Sequence, residues 1–246
     1  DEVQDNERYE SWVATGSKSV SERGRDWCRD KLERYHEEPP TLDAGQRDAL
    51  RDFVERRERE VVFEVGGKVI SAKSVSGKFS TEGLDKGTKV LLALHEHFPK
   101  SGEVLDIGCG WGPITLSIAS LCPKTKVYGI DVNEMAISQT KENASRLGLT
   151  NVFAYLPPQL DKNLEFDAIW SNPPIRIGKK ALHALMRDYL PRLKAGGSAY
   201  LVVQKQLGAE SFQKWLSTEF QGFEVSKVAN SKGYRVIRAT APSKSL

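Results

Sequence analysis

The feature that most constrains this chain is a short apolar run that leads into three alternating glycines. Val104–Ile107 has the character of a buried strand. Gly108, Gly110 and Gly112 follow at alternate positions, and Pro113 opens a helical pattern. A strand that ends in glycines at a helix N-terminus lets the backbone approach a bound ligand closely. The stretch therefore predicts a ligand-binding loop in an α/β fold.

The spacing of these glycines distinguishes the loop from a common alternative. A dinucleotide-binding loop reads Gly-x-Gly-x-x-Gly, whereas this loop reads Asp106-x-Gly-x-Gly-x-Gly112. An acid thus lies two residues before the first glycine. This form resembles motif I of the Rossmann-like methyltransferases that use S-adenosylmethionine (SAM).

The composition is that of an ordinary globular protein of 246 residues. No apolar run approaches the ~20 residues needed to cross a bilayer, so we expect no membrane partner. The acidic N-terminus lacks the apolar segment of a signal peptide, although the missing initial Met leaves a removed targeting segment open. Three cysteines and four histidines show neither disulfide nor metal-ligand spacing. We therefore expect a reducing, cytoplasmic location and no metal.

Charge divides the chain into two parts. Residues 1–60 carry 12 Lys and Arg against 17 Asp and Glu, whereas residues 61–246 carry 24 against 16. A basic body favours polyanions such as RNA. The acidic first part argues against an RNA-binding arm at the N-terminus.

Residues 1–60 predict a helical extension. Ser19 can cap a helix that runs to about Tyr35, and Pro39-Pro40 breaks it. A second helix is expected over about 44–60. We expect this pair to pack on the body of the protein or on a second subunit, and the latter arrangement would make a homodimer.

The same extension resembles the C-terminal tail of the corrinoid-dependent trimethylamine methyltransferase family. The resemblance rests on Trp12, residues 22–30, Tyr35 and residues 53–57. It covers a helical tail and none of that family's barrel. It therefore implies no corrinoid chemistry.

Strand and helix patterns alternate from residue 103 onward, which predicts a mostly parallel α/β sheet with helices on both faces. A hairpin around Gly66-Gly67 precedes it, followed by a loop over 77–88 that is too polar to be core. The last two strands lack an intervening helix and should pair antiparallel. Strands are predicted at 103–107, 126–130, 152–156, 166–170, 198–203, 223–228 and 234–239, and helices at 89–98, 113–121, 134–147, 179–193 and 210–220.

A parallel sheet of seven strands that closes with an antiparallel hairpin is the pattern of class I methyltransferases. The expected fold is therefore a Rossmann-like methyltransferase domain over residues 61–246, with the N-terminal extension before it. Within that domain we expect the hairpin and its following loop at 61–88 and the core at 89–246.

An acid, Asp131, ends the second strand of the predicted sheet. Doubly wound folds place an acid there against ribose hydroxyls, because a carboxylate accepts both hydroxyl hydrogens. The next residue, Val132, is assigned to the same cofactor site. The alternative is that Asp131 caps the helix that begins near Asn133.

A second signal, Asn172-Pro173-Pro174-Ile175, follows an apolar strand. The prolines fix the backbone, so the Asn172 side chain and the Pro173 carbonyl can act as rigid acceptors. An amino group that donates to both would have its nitrogen aimed at an electrophilic methyl group, which is catalysis by orientation. The alternative is a plain turn after a strand.

Together these stretches resemble the "small domain" methyltransferases, a group that includes the 16S ribosomal RNA guanine-N2 methyltransferases. The resemblance covers about residues 61–240, and Phe79–Thr88 matches the loop that precedes the fold in that group. It implies that SAM is the cofactor and that Asn172 with Pro173 holds the target amino group. The implied SAM-binding residues are Asp106, Gly108, Cys109, Gly110, Gly112, Asp131, Val132 and Asn172, and the implied substrate contacts are Pro174, Ile175, Arg176 and Lys205.

Two departures from the family pattern affect ligand recognition. Many members place an aromatic residue after the two prolines, where this chain has Ile175. The acid that often receives the adenine amino group is also missing after the third strand. Backbone groups or Gln159 would then hold adenine.

The leading hypothesis is a SAM-dependent N-methyltransferase that acts on an exocyclic amino group of RNA, with guanine N2 of small-subunit ribosomal RNA as the target. A protein glutamine, DNA adenine or a small amine would present a similar group to the same turn. A SAM-binding or RNA-binding subunit without catalysis is the third alternative. Basic residues near the predicted site, each of which could instead be a solvated surface cation, could together contact phosphates: Lys86, Arg176, Lys179, Lys180 and Lys205.

Overall fold

Two strands rich in β-branched residues form a hairpin before the main sheet. In the computed structural model, which describes residues 58–75, 83–173 and 178–243, β1 (Glu58–Val65) pairs antiparallel with β2 (Lys68–Val75). Gly66 and Gly67 both have positive φ and make the predicted turn. All described residues belong to one unit that spans residues 56–246.

Seven further strands form one twisted α/β sheet in the described part of the chain. The strands are β3 (Ser101–Ile107), β4 (Lys124–Ile130), β5 (Val152–Tyr155), β6 (Phe166–Ser171), β7 (Leu193–Gln204), β8 (Glu224–Ser231) and β9 (Tyr234–Thr240). Their order in the sheet is β5-β4-β3-β6-β7-β9-β8. Four neighbouring pairs are parallel, and β9 pairs antiparallel with both of its neighbours.

Helices cover both faces of this sheet because successive strand residues point to opposite sides. Leu105 belongs to one buried cluster, with Met186 and Leu216, whereas its neighbour Val104 belongs to another, with Leu91 and Ile118. The described helices are α1 (Lys86–Leu92), α2 (Pro113–Leu121), α3 (Glu134–Arg146), α4 (Lys179–Tyr189) and α5 (Ala209–Glu219).

The predicted fold class is confirmed, and the largest differences lie at element ends. The first helix after the hairpin ends at Leu92 rather than 98, because a 3₁₀ turn follows at His95–His97, and β7 begins at Leu193 rather than 198. Helix α1 begins at Lys86 rather than 89, because the Asp85 side chain caps it by accepting the backbone N–H of Thr88 at 3.0 Å. Residues 84–88 were predicted as polar loop, yet Leu84 and Thr88 are buried. Helix α4 ends at Tyr189 rather than 193, since Pro191 follows in a 3₁₀ turn and β7 already begins at Leu193.

Several predictions fall on residues outside the described ranges. These are the N-terminal helices up to residue 57, the first part of the loop over 77–88, and the substrate contacts Pro174, Ile175 and Arg176. The predicted end of the second helix at about residue 60 is wrong, because residues 58–60 already belong to β1. The homodimer stays a prediction. None of the described helices combines the length and the apolar character that a bilayer crossing requires.

The buried side chain of Asn143, on α3, links the hairpin to the glycine loop. Its Nδ2 donates to the carbonyl oxygens of Lys73 (2.8 Å) and Trp111 (3.0 Å), and its Oδ1 accepts the Lys73 N–H at 2.8 Å. Trp111 lies within the glycine loop. One amide therefore fixes β2 and that loop to α3.

Replacing Asn143 with Leu should lower the free energy of unfolding by about 2–4 kcal/mol, because three backbone groups of partly buried residues lose their hydrogen-bond partner. Urea denaturation of the whole chain measures this change. The matched control is Ser138→Ala on the exposed side of α3, which should change stability little. A loss for Asn143→Leu no larger than that of the control would contradict the role of this amide.

Candidate active site

The register of the parallel strands brings four chain segments to one edge of the sheet. Ile107 pairs with Ile130 on one side and with Ser171 on the other, and Ile130 pairs with Tyr155. Neighbouring strands lie about 4.8 Å apart. The residues that follow these strand ends therefore form a row at the carboxyl edge, in the order Leu156, Asp131, Gly108 and Asn172.

The glycine loop follows β3 and bends back over the end of β4. Gly108 and Cys109 both donate their backbone N–H to the Ile130 carbonyl oxygen, at 2.8 and 3.0 Å. Gly110 has φ +57°, and a Cβ there would meet nothing within 4 Å, so this backbone faces open space. At Gly112 a Cβ would lie 3.1 Å from Thr140, so that glycine allows close packing.

Asp131 is held by backbone groups of this loop and of the next turn. Its Oδ2 accepts the Gly110 N–H and its Oδ1 accepts the Asn133 N–H, each at 3.0 Å. The cap of α3 is Asn133, whose side chain accepts the Met135 N–H. A carboxylate offers about four acceptor positions. Each Asp131 oxygen can therefore accept a further hydroxyl hydrogen.

The fully buried acid Asp106 has an incomplete set of partners. Its Oδ2 accepts the Thr115 N–H (3.0 Å) and the Thr115 hydroxyl (2.7 Å), but its Oδ1 has no hydrogen-bond partner among the described residues. Burial raises the pKa of Asp106 to about 7, the Thr115 hydrogen bonds oppose this rise, and the charge of Asp131 adds to it. A nearby cation would favour the ionised form of Asp106, so the cofactor contact expected of this acid stays a prediction.

Two further predicted cofactor residues, Cys109 and Val132, lie in different surroundings. The Cys109 side chain is 2% exposed, in a cluster with Ile137 and Ala154, and burial raises the pKa of its thiol. Cys109 can therefore serve a ligand only through its backbone. Val132 is 85% exposed beside Asp131, so an apolar surface is available at the edge.

Asn172 follows β6, and its amide is held from one side. Its Nδ2 donates to Asp85 Oδ2 at 2.8 Å and to Thr88 Oγ1 at 3.0 Å. The Ser171 hydroxyl donates to the Ile107 carbonyl oxygen at 2.7 Å and ties the end of β6 to β3. Among the described residues, no donor reaches Asn172 Oδ1. As far as the described residues are concerned, this oxygen can accept a hydrogen bond from a ligand.

The remaining predicted contacts lie around this edge. Pro173 is buried directly after Asn172. Lys205 is exposed just beyond the end of β7, where its backbone N–H donates to the Gly233 carbonyl oxygen at 2.9 Å. Lys86, Lys179 and Lys180, which are also exposed, lie near the starts of α1 and α4.

The region predicted to hold adenine contains an internal hydrogen bond. Leu156 donates its backbone N–H to Gln159 Oε1 at 3.0 Å. The side-chain oxygen of Gln159 thus already accepts a hydrogen bond, and the side-chain NH₂ group is the part left for a ligand.

Sequence reasoning missed the two partners of the Asn172 amide, Asp85 and Thr88. Both lie in the stretch 79–88 that resembled the family loop, which was the available signal. Nothing in the local pattern indicated that they contact a residue more than 80 positions away.

Comparison with known proteins identifies the family. Residues 69–238 match the methyltransferase small domain family. The chain belongs to this family. The uncharacterized protein YbxB of Bacillus subtilis is 41% identical over 180 residues, which are 72% of this chain and 89% of that protein.

Other relatives of this small domain methyltransferase carry functional names. Ribosomal RNA small subunit methyltransferase C of Shewanella sediminis is 35% identical over 176 residues, 68% of this chain and 48% of the relative. That of Klebsiella pneumoniae is 32% identical over 179 residues, again 68% of this chain and 49% of the relative. The chain thus spans about half the length of these proteins.

A solved structure and the family together establish fold and cofactor. The T. thermophilus 16S rRNA N2 G1207 methyltransferase (RsmC), in complex with AdoMet and guanosine, aligns with a TM-score of 0.63 and 25% identity, covering 75% of this chain and 50% of that one. This protein is a SAM-dependent methyltransferase with a Rossmann-like fold. Residues 1–62 match the trimethylamine methyltransferase (MTTB) family, which confirms the resemblance of the N-terminal segment.

The buried acid Asp106 predicts a pH dependence of stability in the SAM-free protein. Because the native state keeps a proton that the unfolded chain releases near pH 4, the free energy of unfolding should fall as pH rises from about 4 to about 7. Asp106→Asn should remove this part of the fall. Urea denaturation across that range measures it, with Asp188→Asn on exposed α4 as control. An unchanged pH profile in Asp106→Asn would show that Asp106 is ionised throughout.

Proposed function

We propose that this methyltransferase acts on an exocyclic amino group of RNA, and that guanine N2 of small-subunit ribosomal RNA is its target. The observation that carries the proposal is the orientation of the Asn172 amide. Its NH₂ group is used by Asp85 and Thr88, so its oxygen is the atom available to a substrate. An amino group is the substrate group that such an acceptor binds.

The order of groups at the sheet edge supports this assignment. Leu156, Asp131, Gly108 and Asn172 follow one another across four neighbouring strands. Adenine, ribose and the methionine part follow one another in SAM in the same order. In the proposal Asp131 holds the ribose hydroxyls and Asp106 with the glycine loop serves the methionine part, which leaves Asn172 for the methyl acceptor.

The chain's own residues would act on the amino group by orientation. When bound, SAM supplies an electrophilic methyl group on a sulfonium. If the amino group donates one hydrogen to Asn172 Oδ1 and the other to the Pro173 carbonyl oxygen, the face of its nitrogen is set by two fixed acceptors. Fixing that geometry can supply a large part of the rate enhancement. The proton that the methylated nitrogen loses would pass to water, so the proposal assigns no general base to this site.

Ribosomal RNA as the substrate is supported by the relatives and by surface charge. The named relatives are ribosomal RNA small subunit methyltransferases. The similar solved structure is a 16S rRNA N2 G1207 methyltransferase in complex with AdoMet and guanosine. Lys86, Lys179, Lys180 and Lys205 are exposed around the site and could position phosphates. In this proposal residues 61–246 carry catalysis, and residues 1–60 are an extension of that domain.

The test combines methyl transfer with nucleoside analysis. Purified protein and SAM with a labelled methyl group are incubated with small ribosomal subunits, and with their deproteinised RNA, from cells that lack the gene. Mass spectrometry of the nucleosides should find labelled N2-methylguanosine. Label in ribosomal protein glutamine, in added DNA or in no acceptor would overturn the RNA assignment.

Replacing Asn172 with Ala should reduce kcat by about 100-fold, because one of the two fixed acceptors is lost. Its SAM affinity should fall far less than kcat, because Asn172 is only one of the residues assigned to the cofactor, and Asp106, Asp131 and the glycine loop are unchanged. Single-turnover kinetics and calorimetric titration with SAM measure the two effects separately. Asn163→Ala, at an exposed turn, is the control. Equal losses of SAM binding and turnover would mean that Asn172 is structural.

A further inference from the structure

The amide of Asn172 is fixed by residues from a different part of the chain. Asp85 precedes α1, and its Oδ2 accepts two hydrogen bonds, from the Thr88 N–H at 3.0 Å and from Asn172 Nδ2 at 2.8 Å. The Thr88 hydroxyl lies 3.0 Å from the same nitrogen. One NH₂ group thus has two partners, both supplied by the start of α1.

The chemistry of these partners allows only one orientation of the amide. An ionised carboxylate accepts hydrogen bonds and cannot donate them. If the Asn172 amide rotated by 180°, its oxygen would lie against the Asp85 oxygen and two acceptors would repel each other. Without Asp85 the two orientations would differ little, because the amide oxygen and nitrogen have nearly the same shape.

The start of α1 is itself held rigidly. Gly87 is buried, and a Cβ there would lie 3.0 Å both from the Tyr234 ring and from the Asp85 side chain. The helix therefore packs directly against the beginning of β9. Thr88 is 4% exposed. Because the start of α1 is packed in this way, Asp85 and Thr88 can keep their positions with little loss of entropy on substrate binding.

We propose that Asp85 and Thr88 are positioning residues for the methyl-acceptor site. They hold the Asn172 carboxamide with its oxygen toward the substrate, so that the site accepts amino groups. The inference rests on the proposed function in that it takes Asn172 to bind the acceptor amine. The contacts themselves are properties of the protein without substrate.

Two substitutions of Asp85 separate positioning from the capping of α1. Asp85→Asn keeps a side-chain oxygen of the same reach, which can accept from both Thr88 and Asn172. Asp85→Ser keeps a capping oxygen for the Thr88 N–H, but its hydroxyl is one bond shorter and cannot reach Asn172 at hydrogen-bond distance. Thr88→Val removes the second partner, and Thr88→Ser is its control.

In methyl transfer to small-subunit RNA, Asp85→Ser should lower kcat by roughly 10- to 100-fold, because the amide then samples both orientations. Asp85→Asn should restore kcat to within about threefold of wild type. The KM for RNA, the Kd for SAM and the melting temperature should change little across the three proteins. Wild-type kcat in Asp85→Ser would overturn the proposal, and an equal loss in Asp85→Asn would mean that the negative charge is needed instead.

A second measurement does not depend on the acceptor. The side-chain NH₂ signals of Asn172 in a ¹⁵N-correlated NMR spectrum are identified by their loss in Asn172→Ala. Asp85→Ser and Thr88→Val should shift these signals and speed their exchange with water, whereas Thr88→Ser should not. Unchanged signals in both variants would overturn the positioning role even if no RNA substrate were found. If the wild-type protein labels no RNA while the Asn172 signals shift in Asp85→Ser and Thr88→Val, only the proposed function is overturned.

Discussion

The site depends on the register in which β3 lies between β4 and β6. Ile107 is level with Ile130 on one side and with Ser171 on the other, and the Ser171 hydroxyl is bonded to the Ile107 carbonyl oxygen at 2.7 Å. A slip of one residue would turn every buried side chain of β3 to the opposite face. The two apolar clusters on either side of the sheet therefore fix the alignment that brings Asp131, Gly108 and Asn172 together.

The charges of the candidate site differ between its interior, which is acidic, and its surface, which is basic. Asp106 and Asp131 place acidic groups around the glycine loop, and Asp106 is fully buried with one oxygen that has no hydrogen-bond partner among the described residues. Exposed lysines such as Lys86 and Lys205 lie around the same edge. A cationic cofactor would thus meet acid inside, and a polyanion would meet base at the surface, so each partner has a complementary part of one site.

Whether a feature of the fold or site could be predicted from the sequence depends on how far apart in the chain its interacting residues lie. The glycine loop, Asp131 and the turn at Asn172 are local patterns in which strand, turn and helix signals agree, so the fold and its ligand edge could be predicted. The partners of Asn172 could not, because Asp85 reaches it only after α1 has packed on β9. The same holds for Asn143, whose contacts with Lys73 and Trp111 join segments distant in sequence. The early start of α1 was also missed, since the predicted polar loop contained its cap.

The one-sided anchoring of Asn172 has a consequence for the product. An amide that is free to rotate could turn its nitrogen toward a tertiary amine or a ring nitrogen, whereas an anchored amide offers its oxygen alone. If Asn172 Oδ1 and the Pro173 carbonyl oxygen are the two acceptors, as proposed above, a primary amino group can donate to both, whereas its methylated form can donate to only one. The proposed site would therefore bind an unmethylated substrate more tightly than one that already carries a methyl group.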